Sequence, residues 1–123
     1  MASIRGQNHS KSDSLHWPAG FTITRFAGPE LTPSPACLAV AATGEVFVGV
    51  DMIGSLGKDP GKGRIIKLID SDNDGKLDKH TDFADVDDPR GILIMGDQVF
   101  VLHTVFSKET LKATGMILEV FDR

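Results

Sequence analysis

Three apolar segments of this chain recur in the same order about 53 residues further along, and this internal repeat limits the folds open to the sequence. Residues 35–40 resemble residues 89–94, residues 45–48 resemble residues 98–101, and residues 63–70 resemble residues 115–122. Short segments rich in Val, Ile and Phe between Gly and Pro residues are typical of β-strands. A fourth short strand is predicted around residues 81–84, just before Pro89 starts the second unit.

An antiparallel four-stranded unit of about 50 residues is the size of one β-propeller blade. The inner strands of a blade are packed on both faces, which explains why residues 36–42 and 92–95 are apolar runs without strict alternation. Residues 21–26 do alternate strictly and predict a strand that leads into the first unit. An ordinary antiparallel sandwich is the alternative, although it does not require loops that match at a fixed period.

We therefore predict an all-β chain that forms a partial β-propeller of about one and three-quarter four-stranded antiparallel blades. The predicted parts are a disordered N-terminal tail at residues 1–15 and a partial propeller at 16–123, with blade repeats at 35–88 and 89–123. A complete propeller has about four to eight blades, so this length cannot close a ring. We expect the chain to be a fragment whose partners are the remaining blades, or to assemble with further copies.

Two features of the sequence bear on targeting. Residues 1–14 are polar and lack the apolar core of a secretory signal. No apolar run approaches the ~20 residues that a membrane-spanning helix needs. We therefore expect no signal peptide and no membrane span in this chain.

Negative charge is concentrated in one part of the sequence. The chain has 17 acidic and 13 basic residues and a net charge of −4. Residues 70–88 hold eight of those acids and only two lysines, so they carry −6 while the remainder carries +2. A nucleic-acid binder needs a basic stripe, so we expect no nucleic-acid partner.

The acidic segment contains the sequence DSDNDGKLD at residues 70–78, which matches the first half of a calcium-binding loop. Carboxylates two residues apart can converge on one hard cation, and the glycine permits the sharp turn. The glutamate that closes an EF-hand loop is absent, and no flanking helices are predicted. The predicted Ca²⁺ ligands are Asp70, Asp72, Asp74, Asp78, the backbone carbonyl of Lys76 and, as the closing ligand, Asp82. An Asp- and Gly-rich turn without an ion is the alternative.

Three further polar residues are predicted to lie on the opposite side of the sheets from the calcium loop. In an up-and-down blade the loops after strands two and four share one side, which places Asp51, Arg90 and His103 together. His103 is a candidate catalytic base, whereas Arg90 and Asp51 are candidate substrate-binding residues, with Arg90 suited to an anionic group. Ordinary surface-loop residues are the alternative.

The sequence resembles the N-terminal β-propeller domain of large secreted proteins from planctomycetes and verrucomicrobia that are described as membrane-bound dehydrogenases. Those proteins look related to the soluble quinoprotein glucose and sorbosone dehydrogenases. The segments that carry the resemblance are residues 18–21 (PAGF), 38–50, 63–65 running into 70–78, and 88–92 (DPRGI). The resemblance covers residues 16–123.

The resemblance implies a six-bladed propeller, export to the periplasm or the extracellular space, and oxidation of a small sugar or alcohol with the quinone PQQ. It often implies a haem c domain as well, whereas this chain has one cysteine and no CxxCH motif. We expect a calcium-containing fragment of such an oxidoreductase that is inactive by itself. The alternatives are a non-catalytic propeller module that binds carbohydrate or protein, and a truncated gene product without independent activity.

Overall fold

The computed structural model describes residues 15–52 and 59–123, which form two antiparallel β-sheets. Sheet 1 contains β1 (Pro35–Val40), β2 (Val46–Asp51), β3 (Gly63–Ile69) and β4 (Lys79–Ala84). Sheet 2 contains β5 (Asp87–Met95), β6 (Gln98–Phe106) and β7 (Ala113–Asp122). Each sheet pairs its strands in chain order, which is the topology of a propeller blade. The prediction of an all-β chain with one four-stranded and one three-stranded unit is confirmed.

The described residues contain no helix, and so none that is long and apolar enough to cross a membrane. The connection between β6 and β7 is a turn held by Ser107, whose hydroxyl accepts hydrogen bonds from the amides of Glu109 and Thr110, both at 3.2 Å. The predicted disordered tail at residues 1–15 lies outside the described residues, apart from Leu15.

The sequence repeat reappears in the pairing of the strands. The β1–β2 register recurs in β5–β6 at the positions that the repeat predicts. The third strand differs from the sequence alignment by one residue, because Val48 lies opposite Ile66 whereas Val101 lies opposite Glu119. Residue 119 is therefore the counterpart of residue 66, and the period of this strand is 53 rather than 52. Since a slip of one residue exchanges the two faces of a strand, this shift decides which β7 side chains face the core.

The same backbone corner begins both sheets. Ser34 and Asp88 have left-handed φ angles of 43° and 46°, and each is followed by a proline. Few non-glycine residues adopt this conformation. In both sheets the pairing of the first strand is irregular at this point, as in a β-bulge. The repeat therefore extends beyond the apolar pattern to a shared turn of the main chain.

The two sheets contact each other through faces that are not equivalent. Sheet 1 turns Phe47 and Ile65 toward sheet 2, and we call this side of a sheet its front face. Sheet 2 packs against them with Val99 and Val101. By the period of 53, Val101 is the counterpart of Val48, which lies on the opposite side of sheet 1, the back face. Successive units of a stacked repeat pack in this head-to-tail manner.

Three phenylalanines join the sheets within the core. The ring centroids of Phe47 and Phe83 are 5.0 Å apart, and those of Phe83 and Phe121 are 5.9 Å apart, both in edge-to-face arrangements. Such pairs contribute about 0.5–1.5 kcal/mol each beyond the burial of their area. Because Phe83 lies on β4 and Phe121 on β7, this cluster fastens the outermost strands of the two sheets together.

Two glycines allow sheet 2 to approach sheet 1. A side-chain carbon at Gly49 would lie 2.9 Å from Cβ of Pro89. A side-chain carbon at Gly63 would meet the carbonyl oxygen of Val86 and would lie 2.8 Å from the amide nitrogen of Asp88. Atoms that are not bonded do not approach so closely. The corner that begins sheet 2 can therefore pack against sheet 1 only if residues 49 and 63 are glycine.

The back face of sheet 1 is covered by the segment that precedes β1. Phe26, Ala27 and Leu31 pack against its buried aliphatic side chains. The prediction of a strand at residues 21–26 is wrong, because these residues pair with no strand in the described part of the chain. Alternating apolar residues specify a strand only where a neighbouring strand can satisfy the backbone amides and carbonyls.

Replacing Gly63 by alanine is expected to lower the free energy of unfolding by about 1–3 kcal/mol, because the methyl group would overlap backbone atoms of the corner. Chemical denaturation followed by circular dichroism measures the change. Gly91→Ala in β5 is the matched control, since its side-chain carbon would lie 3.8 Å from Cβ of Leu102, an ordinary contact. Equal losses in the two variants would contradict this seating of the corner.

Candidate functional site

His103 is buried on the back face of sheet 2, with both ring nitrogens engaged. Its Nδ1 lies 3.1 Å from the backbone oxygen of Thr104, and its Nε2 lies 2.8 Å from Oε2 of Glu119. A carbonyl oxygen only accepts hydrogen bonds, so Nδ1 carries a proton. The imidazolium form donates to both acceptors at once and forms an ion pair with the Glu119 carboxylate.

A chain of polar side chains continues from Thr104 to the corner that begins β5. The Thr104 hydroxyl donates to Oδ2 of Asp88 at 3.0 Å, and Nη2 of Arg90 donates to the same oxygen at 2.7 Å. Asp88 is 8% exposed, and a buried carboxylate requires such donors. The structure thus connects Arg90 to His103 through the side chains of Asp88 and Thr104 and the backbone carbonyl of Thr104.

Asp51, the third candidate, lies at the matching place in the other unit. It ends β2, is buried, and its amide donates to the carbonyl of Ser34 at 3.4 Å. By the repeat, Asp51 is the counterpart of Thr104, and Ser34 is the counterpart of Asp88. In sheet 1 the carboxylate lies at the end of the second strand and the hydroxyl lies in the corner. In sheet 2 the hydroxyl lies on the second strand and the carboxylate lies in the corner.

The repeat also shows that His103 and Glu119 stand where sheet 1 has an apolar pair. Their counterparts are Val50 and Ile66, which are 0% and 2% exposed. Aliphatic packing is a simpler source of stability here, because the cost of removing two charges from water offsets their attraction. Where a position breaks the pattern of its own fold in this way, function is the usual reason.

His103 lines a cleft of about 700 Å³ between the two sheets, a volume within the range of small-molecule sites. The described residues that line it include neither Arg90 nor Asp51. Its walls combine apolar side chains with charges of both signs: Phe106, Leu111, Arg64, Lys108, Asp85 and Asp87.

The acidic loop follows β3 and folds around its own carboxylates. The amides of Asp74 and Gly75 donate to the two oxygens of Asp70, at 3.2 Å and 2.8 Å. Gly75 has a φ of 84°, the conformation for which glycine was predicted at this point. Asp70, Asp72 and Asp78 each place one carboxylate oxygen within 4.8 Å of the others.

Two of the five carboxylates that were predicted to bind calcium lie outside that cluster of three. Asp74 uses Oδ1 to accept a hydrogen bond of 2.9 Å from the amide of Lys76. Asp82 lies on β4 and is ion-paired with Nη1 of Arg64 at 2.8 Å. Three of the loop carboxylates therefore lie close together, whereas Asp82 is engaged on the sheet.

Two carboxyl groups of the loop have pKa values shifted in opposite directions. The hydroxyl and the amide of Ser71 both donate to Oδ2 of Asp78 and hold its pKa below the usual value. The amide of Asp74 lowers the pKa of Asp72, but desolvation and the charges of Asp74 and Asp78 together outweigh it, so the pKa of Asp72 is raised. Neighbouring carboxylates thus disfavour the charge on Asp72, whereas Ser71 favours the charge on Asp78.

Sequence reasoning missed Asp88, Thr104 and Glu119. Glu119 carries a signal, because it is the charged residue within the apolar strand MILEVF and aligns with Ile66 at a period of 53. An alignment at 52 conceals it by placing Leu118 at that position. Asp88 and Thr104 carry no signal beyond being next to Pro89 and His103.

Replacing Ser71 by alanine is expected to raise the pKa of Asp78 toward the usual aspartate value, because one of its two donors from Ser71 is removed. A depressed pKa stabilises the folded chain above the unfolded value of about 3.9, and this contribution is lost as the pH falls through the folded value. The stability difference between the two proteins should therefore be present at neutral pH and vanish in acid.

Carboxyl-carbon NMR measures this titration directly. Ser107→Ala, in the β6–β7 turn, is the control and should leave the titration of Asp78 unchanged. An Asp78 titration that is the same with and without the Ser71 hydroxyl would show that the serine does not hold the carboxylate.

Comparison with known proteins identifies the family of this chain. Residues 7–110 match a family model described as Domain of unknown function (DUF7133). A search of the curated proteins found no match, and neither did a search of the solved structures. Because the family model spans most of the sequence, the chain belongs to the DUF7133 family.

Proposed function

We propose that this chain forms one complete blade and most of a second in a calcium-containing β-propeller of the quinoprotein sugar or alcohol dehydrogenase type. The observation that carries the proposal is the cleft between the sheets, which is lined by His103. His103 and its partner Glu119 stand where sheet 1 has an apolar pair. The sequence resemblance supports the reaction type and a periplasmic or extracellular location. The remaining blades are proposed partners, and the chain by itself is expected to be inactive.

The chemistry of the cleft suits a small polyhydroxyl ligand such as a sugar or an alcohol. Asp85 and Asp87 can accept hydrogen bonds from hydroxyl groups, and Lys108 can donate them. Phe106 offers an apolar surface for the carbon skeleton. Small-molecule sites commonly combine an apolar lining with a few polar groups in this way.

His103 would act as a base through Nε2, because Nδ1 is held as a donor by the Thr104 carbonyl. Glu119 has a side chain that is 46% exposed, and it would turn away from Nε2 to admit the substrate hydroxyl. Once the product has left, the carboxylate would return to Nε2 and pair with the imidazolium that proton transfer produced. Arg90 lies outside the cleft and is ion-paired with Asp88, so it is proposed to hold the Asp88 carboxylate in place and not to contact the sugar or alcohol.

PQQ, when bound to the complete propeller, would accept the electrons that the substrate loses. This quinone carries several carboxylates and needs cations to hold them. Arg64 and Arg90 are already ion-paired, with Asp82 and Asp88 respectively. We therefore assign no residue of this chain to the quinone, and propose that the remaining blades hold it.

Ca²⁺ fits the donor set of the acidic loop. Calcium takes six to eight oxygen ligands at about 2.3–2.6 Å, so oxygens on opposite sides of the ion are about 5 Å apart. The oxygens of Asp70, Asp72 and Asp78 lie within 4.8 Å of one another. An oxygen that accepts one amide hydrogen bond keeps a second lone pair for a metal. We propose a structural role, in which the ion closes the connection between β3 and β4.

A non-catalytic module that binds carbohydrate or protein is the second candidate function. The observation that favours it is that both nitrogens of His103 are engaged, by Thr104 and Glu119. Ligand binding without oxidation, when PQQ and Ca²⁺ are supplied to the longest natural form of the protein, would favour this module over the dehydrogenase.

Calcium is expected to raise the melting temperature of the chain, because an ion that binds only the folded state stabilises it, by about 2.7 kcal/mol at 100 times the dissociation constant. Asp72→Asn should weaken calcium binding by about tenfold or more, since it removes a charged ligand. Asp122→Asn at the end of β7 is the matched control and should bind normally. Isothermal titration calorimetry measures the affinity, and an unchanged melting temperature in millimolar Ca²⁺ would contradict the proposal.

The double variant His103→Val with Glu119→Ile gives sheet 2 the apolar pair of sheet 1. We expect it to lose ligand binding without losing stability. The free energy of unfolding should stay the same or rise by up to about 1 kcal/mol, because aliphatic side chains replace a buried histidine and its half-exposed glutamate partner. Binding of monosaccharides and short alcohols, measured by saturation-transfer NMR, should be lost. Lys112→Ala, outside the cleft, is the control that should keep binding.

The double variant can fail in two ways. A loss of more than about 2 kcal/mol would show that the pair is structural. Retained ligand binding would remove the pair from the binding site.

A further inference from the structure

The front face of sheet 2 exposes a continuous set of apolar side chains. The strand register places them together on the side that faces away from sheet 1. Six of them are between 38% and 63% exposed: Leu93, Met95, Leu102, Met116, Leu118 and Val120. A contiguous apolar surface of this kind marks an interaction site.

The counterparts of these residues in sheet 1 are buried. Leu118 is 63% exposed, whereas its counterpart Ile65 is fully buried against sheet 2. Met95 is 60% exposed, whereas its counterpart Ala41 is 4% exposed in the same core. The exposed face of sheet 2 is thus the same face that sheet 1 uses to bind its neighbour.

The edge of sheet 2 shows the same difference. In sheet 1 β3 is paired on both sides, by β2 and β4. In sheet 2 the corresponding strand β7 pairs with β6, and the described residues provide no strand for its other side. A long strand with an unpaired edge invites further pairing.

We propose that the front face of sheet 2 binds a further antiparallel sheet of the same repeat type, through the back face of that sheet. The proposal rests on the propeller architecture of the proposed function and is independent of its ligand and calcium. The interface continues the one between sheets 1 and 2, in which a front face with Phe47 and Ile65 meets a back face with Val99 and Val101.

The same geometry limits which residue can begin the sheet that docks here. The seating of Pro89 requires glycine at positions 49 and 63. Their counterparts in sheet 2 are Leu102 and Met116, whose side chains occupy that space. The sheet that docks here must therefore begin with a smaller residue in place of the proline.

A second copy of this chain fits the face poorly in the same arrangement. Part of the back face of its sheet 1, around Val48 and Val50, is already covered by Phe26, Ala27 and Leu31. Its sheet 1 also begins with a proline corner at Ser34 and Pro35, which would meet Leu102 and Met116. The occupant is therefore a further sheet with its own sequence.

The test extends the chain by one repeat. A copy of residues 71–123 is placed after Arg123, which supplies a β4-like strand and a third sheet 53 residues on. Pro89→Gly is introduced in the copy alone, to leave room for the two larger side chains. Leu118→Lys is then made in the original sheet 2, in both the extended and the 123-residue chain.

Leu118→Lys is expected to increase the unfolding equilibrium constant by about tenfold or more in the extended chain, where the lysine is buried, and by less than about threefold in the 123-residue chain. Leu38→Lys is the matched control, since Leu38 is 64% exposed on the back face of sheet 1. It should change either chain by less than about threefold. Restoring proline in the copy should destabilise the third sheet.

Three results would overturn the proposal. The added repeat could show no cooperative unfolding, or Leu118→Lys could have the same effect in both chains. The third result is a dimer of the 123-residue chain, seen by analytical ultracentrifugation, that Leu118→Lys abolishes. Such a dimer would assign this face to a second copy of the chain. Each of these results leaves the calcium and ligand measurements to decide the proposed function separately.

Discussion

The contact of Pro89 with the two glycines of sheet 1 sets the spacing on which the rest of the structure depends. Glycine at positions 49 and 63 is the condition for the corner to sit against the sheet. Once it is seated, Val99 and Val101 reach Phe47 and the core closes. Side chains from two sheets can pack closely only if the backbones approach closely. Glycines at the contact therefore matter as much as the large side chains of the core.

The corner also positions the candidate functional groups. Asp88, in its left-handed conformation, brings its carboxylate to Thr104 and Arg90. The backbone carbonyl of Thr104 in turn accepts a hydrogen bond from Nδ1 of its neighbour His103. The cleft opens beside this network because the sheets touch at the corner and in the aromatic core. The packing that holds the two sheets together and the polar chain beside the candidate site are therefore parts of one arrangement.

Much of the fold could be predicted from the sequence, because the repeat is a global signal that several strands support together. The strands, their order and the fourth strand near Phe83 follow from it. The strand at residues 21–26 was wrong because alternation does not reveal whether a partner strand is available. Glu119 escaped notice because an error of one residue in register assigns a side chain to the wrong face. Local patterns alone cannot determine register, since it depends on the pairing of distant segments.

The acidic loop shows the opposite case, in which local sequence was sufficient. The positions of Asp70, Asp72 and Gly75 determine the turn, because their hydrogen bonds are with their immediate neighbours. Asp82 was harder to place, since its partner Arg64 comes from an earlier strand. Predictions from sequence thus succeed where the interactions are local and fail where the fold supplies the partner.

The whole arrangement depends on sheet 2 sitting on the front face of sheet 1 with Pro89 over Gly49 and Gly63. Nuclear Overhauser spectroscopy of the labelled chain tests it most directly. We predict cross-peaks between the ring protons of Pro89 and the α-protons of both Gly49 and Gly63. Their absence, together with contacts from Pro89 to the back-face residue Val50, would contradict the head-to-tail stacking of the two sheets.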